Sequence, residues 1–208
     1  IVASNSYGLI PLLSPYADHI IDLGIVPDDR TKLEAALLHA FDQGVEMVVT
    51  SGGASVGDRD YVQDVLVDLG VKLDFWKLNM RPGKPLMFGT RGSTLVFGLP
   101  GNPVSAMVTA AVILRPALRQ MTGHADPFWP RLGLPLTSPL PPNGSRRHFL
   151  RGSLERGETG QLQVAPVRET DSSHTLSLAR ADALIVQAED DPGQLAGTTV
   201  EVMPLTWD

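Results

Sequence analysis

The sequence predicts an α/β domain followed by a smaller all-β domain, and three observations support this fold class. First, apolar runs alternate with amphipathic helical patterns up to about residue 121, as in a mainly parallel sheet with helices on both faces. Second, helical periodicity stops after Gly123, and prolines cluster between residues 124 and 143. Third, the rest of the chain alternates in short runs typical of a small barrel or sandwich. We therefore predict domains over residues 1–126 and 127–208.

The helices of the first domain are predicted from their start and stop signals. Ser4–Ser6 precedes a short apolar pattern and indicates a helix with a polar cap. Asp28 and Asp29 precede an amphipathic helix that ends at Gly44. Two more helices are expected over residues 62–69 and from residue 104 to about 121, and Pro116 should kink the second of these.

The strands are predicted from apolar runs rich in β-branched residues. In the first domain they cover residues 19–26, 45–49, 71–78 and 94–97. In the second domain they cover residues 132–136, 149–154, 162–167, 184–186 and 199–203.

Composition excludes several classes of partner. The 208 residues carry a formal charge of −6, so an electrostatic basis for binding nucleic acid is absent. The longest apolar stretch, residues 106–114, is far shorter than the roughly 20 residues of a membrane span. The chain has no cysteine, which fits a cytoplasmic location and excludes thiolate chemistry. Because the chain begins with Ile1 rather than Met, we expect it to be a fragment.

The first candidate site is the glycine-rich loop Thr50–Tyr61, which reads Thr-Ser-Gly-Gly-Ala-Ser-Val-Gly-Asp-Arg-Asp-Tyr. It follows an apolar strand and precedes a helix, an arrangement whose backbone N–H groups bind anions. Two carboxylates, Asp58 and Asp60, lie at its exit and indicate a bound cation or a proton transfer. An alternative is that Asp60 only caps the helix. The predicted ligand contacts are Ser51, Gly52, Gly53 and Ser55.

The second candidate site is a basic loop that contains the sequence Arg81-Pro-Gly-Lys-Pro85. The cations Lys77, Arg81 and Lys84 fall within eight residues, and the prolines reduce the entropy lost when an oxyanion binds. The alternative is a solvated basic turn.

The third candidate site, Gly98-Leu-Pro-Gly-Asn-Pro-Val-Ser105, joins a strand to a helix. Asn102 suits an N-cap and Pro103 the first helical position, so the loop presents free N–H groups at a positive helix end, and Ser105 adds a hydroxyl in the first turn. The predicted ligand contacts here are Gly101, Asn102 and Ser105. The alternative is a well-capped core helix. Because all three loops leave strands of one sheet, we expect them to converge on a phosphorylated ligand.

The second domain contains two polar segments. Arg146, Arg147, His148 and Arg151 form a basic strand, and residues 172–177 form a polar loop. Both patterns are more typical of solvated surfaces than of sites.

The three loops together resemble the signature loops of the MoeA family, the molybdopterin molybdotransferases that include the C-terminal part of gephyrin. They occur in the same order and at similar spacing, and the resemblance covers the last two of the family's four domains. The first loop alone would also fit the MogA/MoaB adenylyltransferase fold, whereas the Pro-Gly-Lys-Pro loop and the β domain favour MoeA.

The resemblance implies an activity and roles for these residues. Such proteins insert molybdate into adenylylated molybdopterin and release AMP with the help of Mg²⁺. Asp58 and Asp60 would bind Mg²⁺ or orient water, and both count as catalytic together with Lys77 and Lys84. Lys77, Arg81 and Lys84 would neutralise phosphate or hold molybdate, and Pro85 would shape the pocket. Arg151 and Ser177 align with family residues that are expected to reach molybdate.

Two departures from the family pattern bear on activity. Arg81 stands where the family usually has lysine, which preserves charge but changes geometry. The family's Thr-Gly-Asp-Glu segment and its two N-terminal domains are absent, so we expect the fragment alone to be inactive and the full-length protein to be a homodimer. The alternatives are a molybdopterin adenylyltransferase and a non-catalytic scaffold like gephyrin.

Overall fold

The computed structural model describes residues 4–52, 61–167 and 175–205. The chain forms two compact units. The first comprises Ile1–Leu78 and Gly83–Ala110, and the second comprises Asn79–Pro82 and Ala111–Asp208. The domain boundary that we place between residues 126 and 127 stays a prediction. No helix within the described ranges is long and apolar enough to cross a membrane.

The first unit contains four helices and four strands among the described residues. The helices are α1 (Asn5–Leu13), α2 (Arg30–Asp42), α3 (Tyr61–Asp68) and α4 (Pro103–Thr109). A short 3-10 turn, Ser14–Tyr16, follows α1. The strands are β1 (Met47–Ser51), β2 (Lys72–Phe75), β4 (Met87–Arg91) and β5 (Thr94–Leu99). The two-residue strand β3 (Met80–Arg81) belongs to the second unit.

The sheet of the first unit is mixed, so the prediction of a mainly parallel sheet holds only in part. Its order is β1-β5-β4-β2, and only β1 and β5 are parallel. The other two pairings are antiparallel because β4 and β5 form a hairpin around Gly92, whose φ is +59°. No predicted strand corresponds to β4, and the strand predicted over residues 71–78 extends beyond the observed β2.

A single apolar core joins helices α2 and α3 to one face of this sheet. Leu37 of α2 and Val65 and Leu66 of α3 are buried with Val48 and Val96 of the sheet. The predicted cap is confirmed, since the Asp29 carboxylate accepts a hydrogen bond from the Lys32 amide at 3.0 Å. This core therefore supports the carboxyl ends of β1 and β5, where the first and third loops begin.

The strand predicted over residues 19–26 is wrong, because this segment carries neither helix nor strand. Its alternating apolar side chains Ile21, Leu23 and Ile25 are exposed by 40%, 41% and 80%. No strand in the described part of the chain pairs with the segment, so its apolar alternation lacks the ladder that would bury it.

The predicted long helix is divided into three pieces. After α4 comes a π-helical turn, Ala110–Leu114, and then α5 (Arg115–Met121). Pro116 has no N–H to continue the α-helical ladder, so a wider turn ahead of it is the expected response. The indole N–H of Trp129 donates to the carbonyl of Ala111 at 2.7 Å, and the Arg115 guanidinium lies 3.0 Å from the centre of the Trp129 ring.

The second unit is built on a six-stranded sheet that closes on itself. Its remaining elements are β6 (Leu132–Pro135), β7 (Arg147–Arg156), β8 (Leu162–Pro166), α6 (Thr175–Ala179), β9 (Ala183–Gln187) and β10 (Thr199–Pro204). The order is β3-β7-β9-β10-β6, with β8 also paired to β7. A bridge between Leu136 and Val164 connects the end of β6 to β8. The unit is thus a small barrel, and Leu150, Ile185 and Val202 lie in its core.

Candidate functional site

The carboxyl end of β1 and the loop before α4 lie side by side. Parallel pairing places Ser51 opposite Leu99, and the Gly52 amide donates to the Leu99 carbonyl at 3.1 Å. A Cβ added to Gly101 would lie 3.4 Å from the Gly52 Cα. The backbones therefore touch at two glycines, so the first and third predicted loops meet within the first unit.

Asn5, at the start of α1, connects these two loops. Its amide Nδ2 donates to the Ser51 hydroxyl at 2.6 Å and to the Gly101 carbonyl at 3.0 Å. Residues 4–6 are predicted to cap a helix, but Ser4 makes no side-chain capping hydrogen bond. No local pattern could reveal Asn5, because its partners lie 46 and 96 residues away.

The start of α4 differs from the predicted cap. Asn102 occupies the N-cap position, but its side chain makes no capping hydrogen bond. Ser105 is buried, with only 7% of its surface exposed, so its hydroxyl is not presented openly to solvent. Three buried oxygens here have no hydrogen-bond partner among the residues that the structure describes: Asn5 Oδ1, Thr50 Oγ1 and Asn102 Oδ1. Such atoms are rare and usually cost stability, and an ordered water, an ion or a bound ligand can supply the missing partner.

Several predicted site residues lie outside the described residues. These are Gly53, Ser55, Asp58 and Asp60. Within the described ranges, no group of three or more His, Cys, Asp or Glu side chains is placed to hold a metal ion.

The basic loop presents its three cations to solvent. Lys77, Arg81 and Lys84 are exposed, and none forms an ion pair with another residue of the described ranges. The loop is closed by the Leu78 amide, which donates to the Lys84 carbonyl at 2.9 Å. Gly83 has a φ of +106°, which other residues rarely adopt. Pro85 follows, partly buried, before β4. The prolines predict a rigid loop, and the structure adds that the loop contains a turn that requires glycine at residue 83.

His148, on β7, holds the Arg81 guanidinium. Arg81 Nη2 lies 2.6 Å from His148 Nδ1, and the two residues are register partners of β3 and β7. A guanidinium can only donate, so Nδ1 accepts and the ring proton is on Nε2. Burial, followed by the positive charges of Arg81, Arg146 and Arg151, lowers the pKa of His148 to about 4. The imidazole is therefore neutral near pH 7.

The stability of the protein should fall between pH 6.5 and 4 because of His148. The unfolded chain takes up a proton near pH 6.5, whereas the folded imidazole stays neutral until about pH 4. The contribution of the neutral His148 to the free energy of unfolding is thus complete above pH 6.5 and is lost as the pH falls, by up to about 3 kcal/mol. Urea unfolding at pH 7 and pH 4.5 measures this loss.

His148→Asn is the matched control for this measurement, since its amide oxygen can still accept from Arg81 but does not titrate. We expect the variant to lose less stability than the parent protein over the same pH range. An identical pH dependence in both proteins would contradict the assignment.

Arg151 and Ser177 are brought together in the second unit. Arg151 Nη1 donates to the Ser177 hydroxyl at 2.6 Å. Both residues are buried, with exposures of 6% and 5%, although they come from β7 and α6. The interpretation of residues 146–151 as a solvated face is therefore wrong for His148 and Arg151. It holds for Arg147, which is exposed and forms an ion pair with Glu189.

Family models match nearly the whole chain. Residues 1–120, more than half of the sequence, match the model described as "Probable molybdopterin binding domain". Residues 134–205 match the model described as "MoeA C-terminal region (domain IV)". These matches cover the elements that carry the Ser51–Gly101 junction and the Arg151–Ser177 pair.

Curated relatives align over almost all of this chain. It is 33% identical to a molybdopterin molybdenumtransferase of Haemophilus influenzae, over 97% of the chain and 50% of that protein. It is 34% identical to the protein of the same name from Nostoc sp., over 99% of the chain and 48% of that protein. The chain thus spans about half the length of these relatives.

Solved structures show the same fold. The "molybdopterin biosynthesis moea protein" of Pyrococcus horikosii is 26% identical, with a TM-score of 0.79, over 96% of this chain and 47% of that one. A molybdenum cofactor biosynthesis protein from Pyrococcus furiosus has a TM-score of 0.78 at 24% identity, over 98% of this chain and 65% of that one. With both family models matched in order, the chain belongs to the MoeA family.

Proposed function

We propose that this chain is part of a molybdopterin molybdotransferase, which inserts molybdate into adenylylated molybdopterin and releases AMP. The observation that carries the proposal is the junction of Ser51 and Gly52 with Gly101 at the end of the sheet. Glycine-built loops at the carboxyl ends of strands are a common binding place for phosphate groups. The names of relatives that align over nearly the whole chain support the same activity.

In this proposal the first unit binds the nucleotide. Ser51, Gly52 and Gly101 would contact its phosphates, with Gly53 and Ser55 continuing the same loop. The hydroxyl of Ser51 is exposed and can reach a ligand. Asn102 and Ser105 would fix the start of α4 from the inside, since Asn102 is partly buried and Ser105 is buried.

In the second unit, Arg151 and Ser177 would bind molybdate. A buried guanidinium next to a hydroxyl combines a positive charge with polar hydrogens, which suits recognition of a tetrahedral oxyanion. The exposed cations Lys77, Arg81 and Lys84 would attract anionic substrates, and Pro85 would shape their loop.

A magnesium ion fits the proposed chemistry. Asp58 and Asp60 offer the hard carboxylate oxygens that Mg²⁺ prefers, and Mg²⁺ commonly binds through one or two carboxylates together with substrate phosphates. When bound, the ion would neutralise charge on the phosphoanhydride. The two aspartates would hold the ion and orient the attacking water.

The test uses the full-length protein with adenylylated molybdopterin, molybdate and Mg²⁺. We expect AMP release that depends on molybdate. A folded protein that releases no AMP would refute the proposal. Consumption of ATP with free molybdopterin and no need for molybdate would indicate an adenylyltransferase instead, and peptide binding without pterin binding would indicate a scaffold.

The proposal includes a cytoplasmic, homodimeric full-length enzyme. The absence of cysteine is consistent with a reducing compartment. Light scattering coupled to size-exclusion chromatography should give twice the monomer mass, and a monomer that retains full activity would contradict the dimer.

Asp58→Asn should lower turnover by at least about tenfold while thermal stability changes little. Loss of a charge that acts on the phosphoanhydride weakens transition-state stabilisation, whereas an acid at a loop mouth contributes little to folding. AMP release and thermal unfolding measure the two effects. Asp64→Asn, at an exposed position on α3, is the control and should change neither. Equal losses of activity and stability would make Asp58 structural.

A further inference from the structure

The orientation of the Asn5 amide follows from its partners. The Gly101 carbonyl, 3.0 Å away, can only accept a hydrogen bond, so the atom facing it must be Nδ2. The same nitrogen lies 2.6 Å from Ser51 Oγ and uses its other hydrogen there. Both hydrogens of the Asn5 amide therefore form hydrogen bonds, one to Gly101 and one to Ser51.

This arrangement also orients the hydroxyl of Ser51. Because Ser51 Oγ accepts from Asn5, its own hydrogen points away from Asn5 and is available to a further acceptor. Ser51 is exposed and is the last residue of β1, at the edge of the sheet where ligands of α/β folds bind. An exposed hydroxyl that is held as a donor suits an anionic oxygen.

Asn5 lies at the start of α1, a helix that is packed on one face. Leu9, Leu12 and Leu13 bury one face of α1, and a Cβ added to Gly8 would lie 2.8 Å from Met107 Sδ of α4. The Oδ1 atom of Asn5 is buried with no hydrogen-bond partner in the described part of the chain. An unsatisfied buried carbonyl costs stability, so packing among the described residues gives asparagine no advantage at this position.

We infer that Asn5 is a positioning residue that holds the Ser51 hydroxyl as a hydrogen-bond donor to a phosphate oxygen of the bound nucleotide. The inference rests on the proposed function, because it takes the ligand to be a phosphoanhydride. Without Asn5, the Ser51 hydroxyl is no longer fixed as a donor and can rotate toward other acceptors.

The experiment measures binding of inorganic pyrophosphate to the 208-residue chain by calorimetry at constant ionic strength. Ser51→Ala should raise the Kd about tenfold or more, the effect of one hydrogen bond to a charged group. Asn5→Ala should have a similar effect. The double variant should bind no more weakly than the weaker single variant, because both changes remove the same donor.

Asn5→Asp supplies a second, nearly isosteric variant in case alanine unfolds α1. Its carboxylate would accept the Ser51 hydrogen and repel the anion, so the loss of affinity should exceed that of Ser51→Ala. Thermal unfolding of each variant separates a loss of affinity from a loss of fold.

Asn143 provides the matched control. Its Nδ2 also joins two acceptors, the carbonyls of Arg146 and Ala188, each at 2.7 Å. Asn143→Ala should lower thermal stability and leave the pyrophosphate Kd unchanged.

Three results would overturn the inference. The first is an unchanged pyrophosphate Kd in Asn5→Ala, and the second is a double variant whose increase in Kd equals the product of the two single increases. The third is no pyrophosphate binding by the unsubstituted chain. Each is distinct from failure of the proposed function, which is measured as molybdate-dependent AMP release. Normal AMP release by the Asn5→Ala variant would support the proposed function and contradict the positioning role of Asn5.

Discussion

Replacing Arg151 with methionine is expected to lower molybdate-dependent AMP release by about 100-fold or more. The variant keeps a long side chain but removes the donors that the guanidinium holds next to Ser177. Loss of a single preorganised donor to a developing anion costs about 10²–10³ in rate. Arg151→Lys should recover only part of the activity, because the ammonium retains the charge but not the planar fork.

The measurement is the rate of AMP release by the full-length variant as a function of molybdate concentration, together with thermal unfolding. Arg156→Met is the control on the same strand, since Arg156 is exposed and donates only to the Gly160 carbonyl at 3.1 Å among the contacts described. A folded Arg151→Met protein with an unchanged dependence on molybdate would exclude Arg151 from the molybdate site.

Gly89→Ala is expected to destabilise the first unit by about 3 kcal/mol. Gly89 lies in β4, and a Cβ there would fall 2.5 Å from the backbone carbonyl oxygen of Lys72 and 3.1 Å from the Leu73 Cα. These atoms belong to the neighbouring strand β2, so the sheet itself would have to move. Overpacking of this kind costs about 1–3 kcal/mol, and contact with backbone places it at the upper end.

Gly98→Ala is the comparison for this effect. A Cβ at Gly98 would lie 2.7 Å from the terminal methyl of Met87, which can change rotamer. We expect a loss of about 1 kcal/mol, and urea midpoints of the two variants measure the difference. Equal destabilisation would show that the adaptability of Met87 is not what distinguishes the two positions.

Elements with local sequence signals could be predicted from the sequence alone. Asp29 caps α2 as predicted, and α3 ends within one residue of its predicted end, because capping and amphipathic periodicity act over a few residues. The hairpin of β4 and β5 has a local signal, since Gly92-Ser93 lies between two strand-like runs. Without this hairpin, the remaining strands alternate with helices and predict a parallel sheet.

Pairing between distant segments could not be predicted in this way. Residues 19–26 have the composition of a strand, but a strand also needs a neighbour, which local sequence does not specify. The contacts of Asn5 with Ser51 and Gly101 likewise depend on the packing of α1, not on any motif.

The candidate site was predicted in two different ways. The meeting of Gly52 and Gly101 follows from two loops that leave adjacent parallel strands, which is a physical expectation. Only the resemblance predicts roles for Arg151 and Ser177, because a basic strand and a polar loop indicate a solvated surface on composition alone. His148 was set aside on the same grounds, yet it is buried against Arg81.

The segment Asn79–Pro82 has a practical consequence for dividing this protein into pieces. It belongs to the second unit although the chain on both sides belongs to the first, so the polypeptide passes between the units three times. A single cut near residue 110 would therefore remove β3 from the barrel and leave the backbone of Arg147 and His148 as an unpaired strand edge. Exposed edges promote association between chains. A recombinant C-terminal piece should therefore include Asn79–Pro82 through a designed linker or circular permutation.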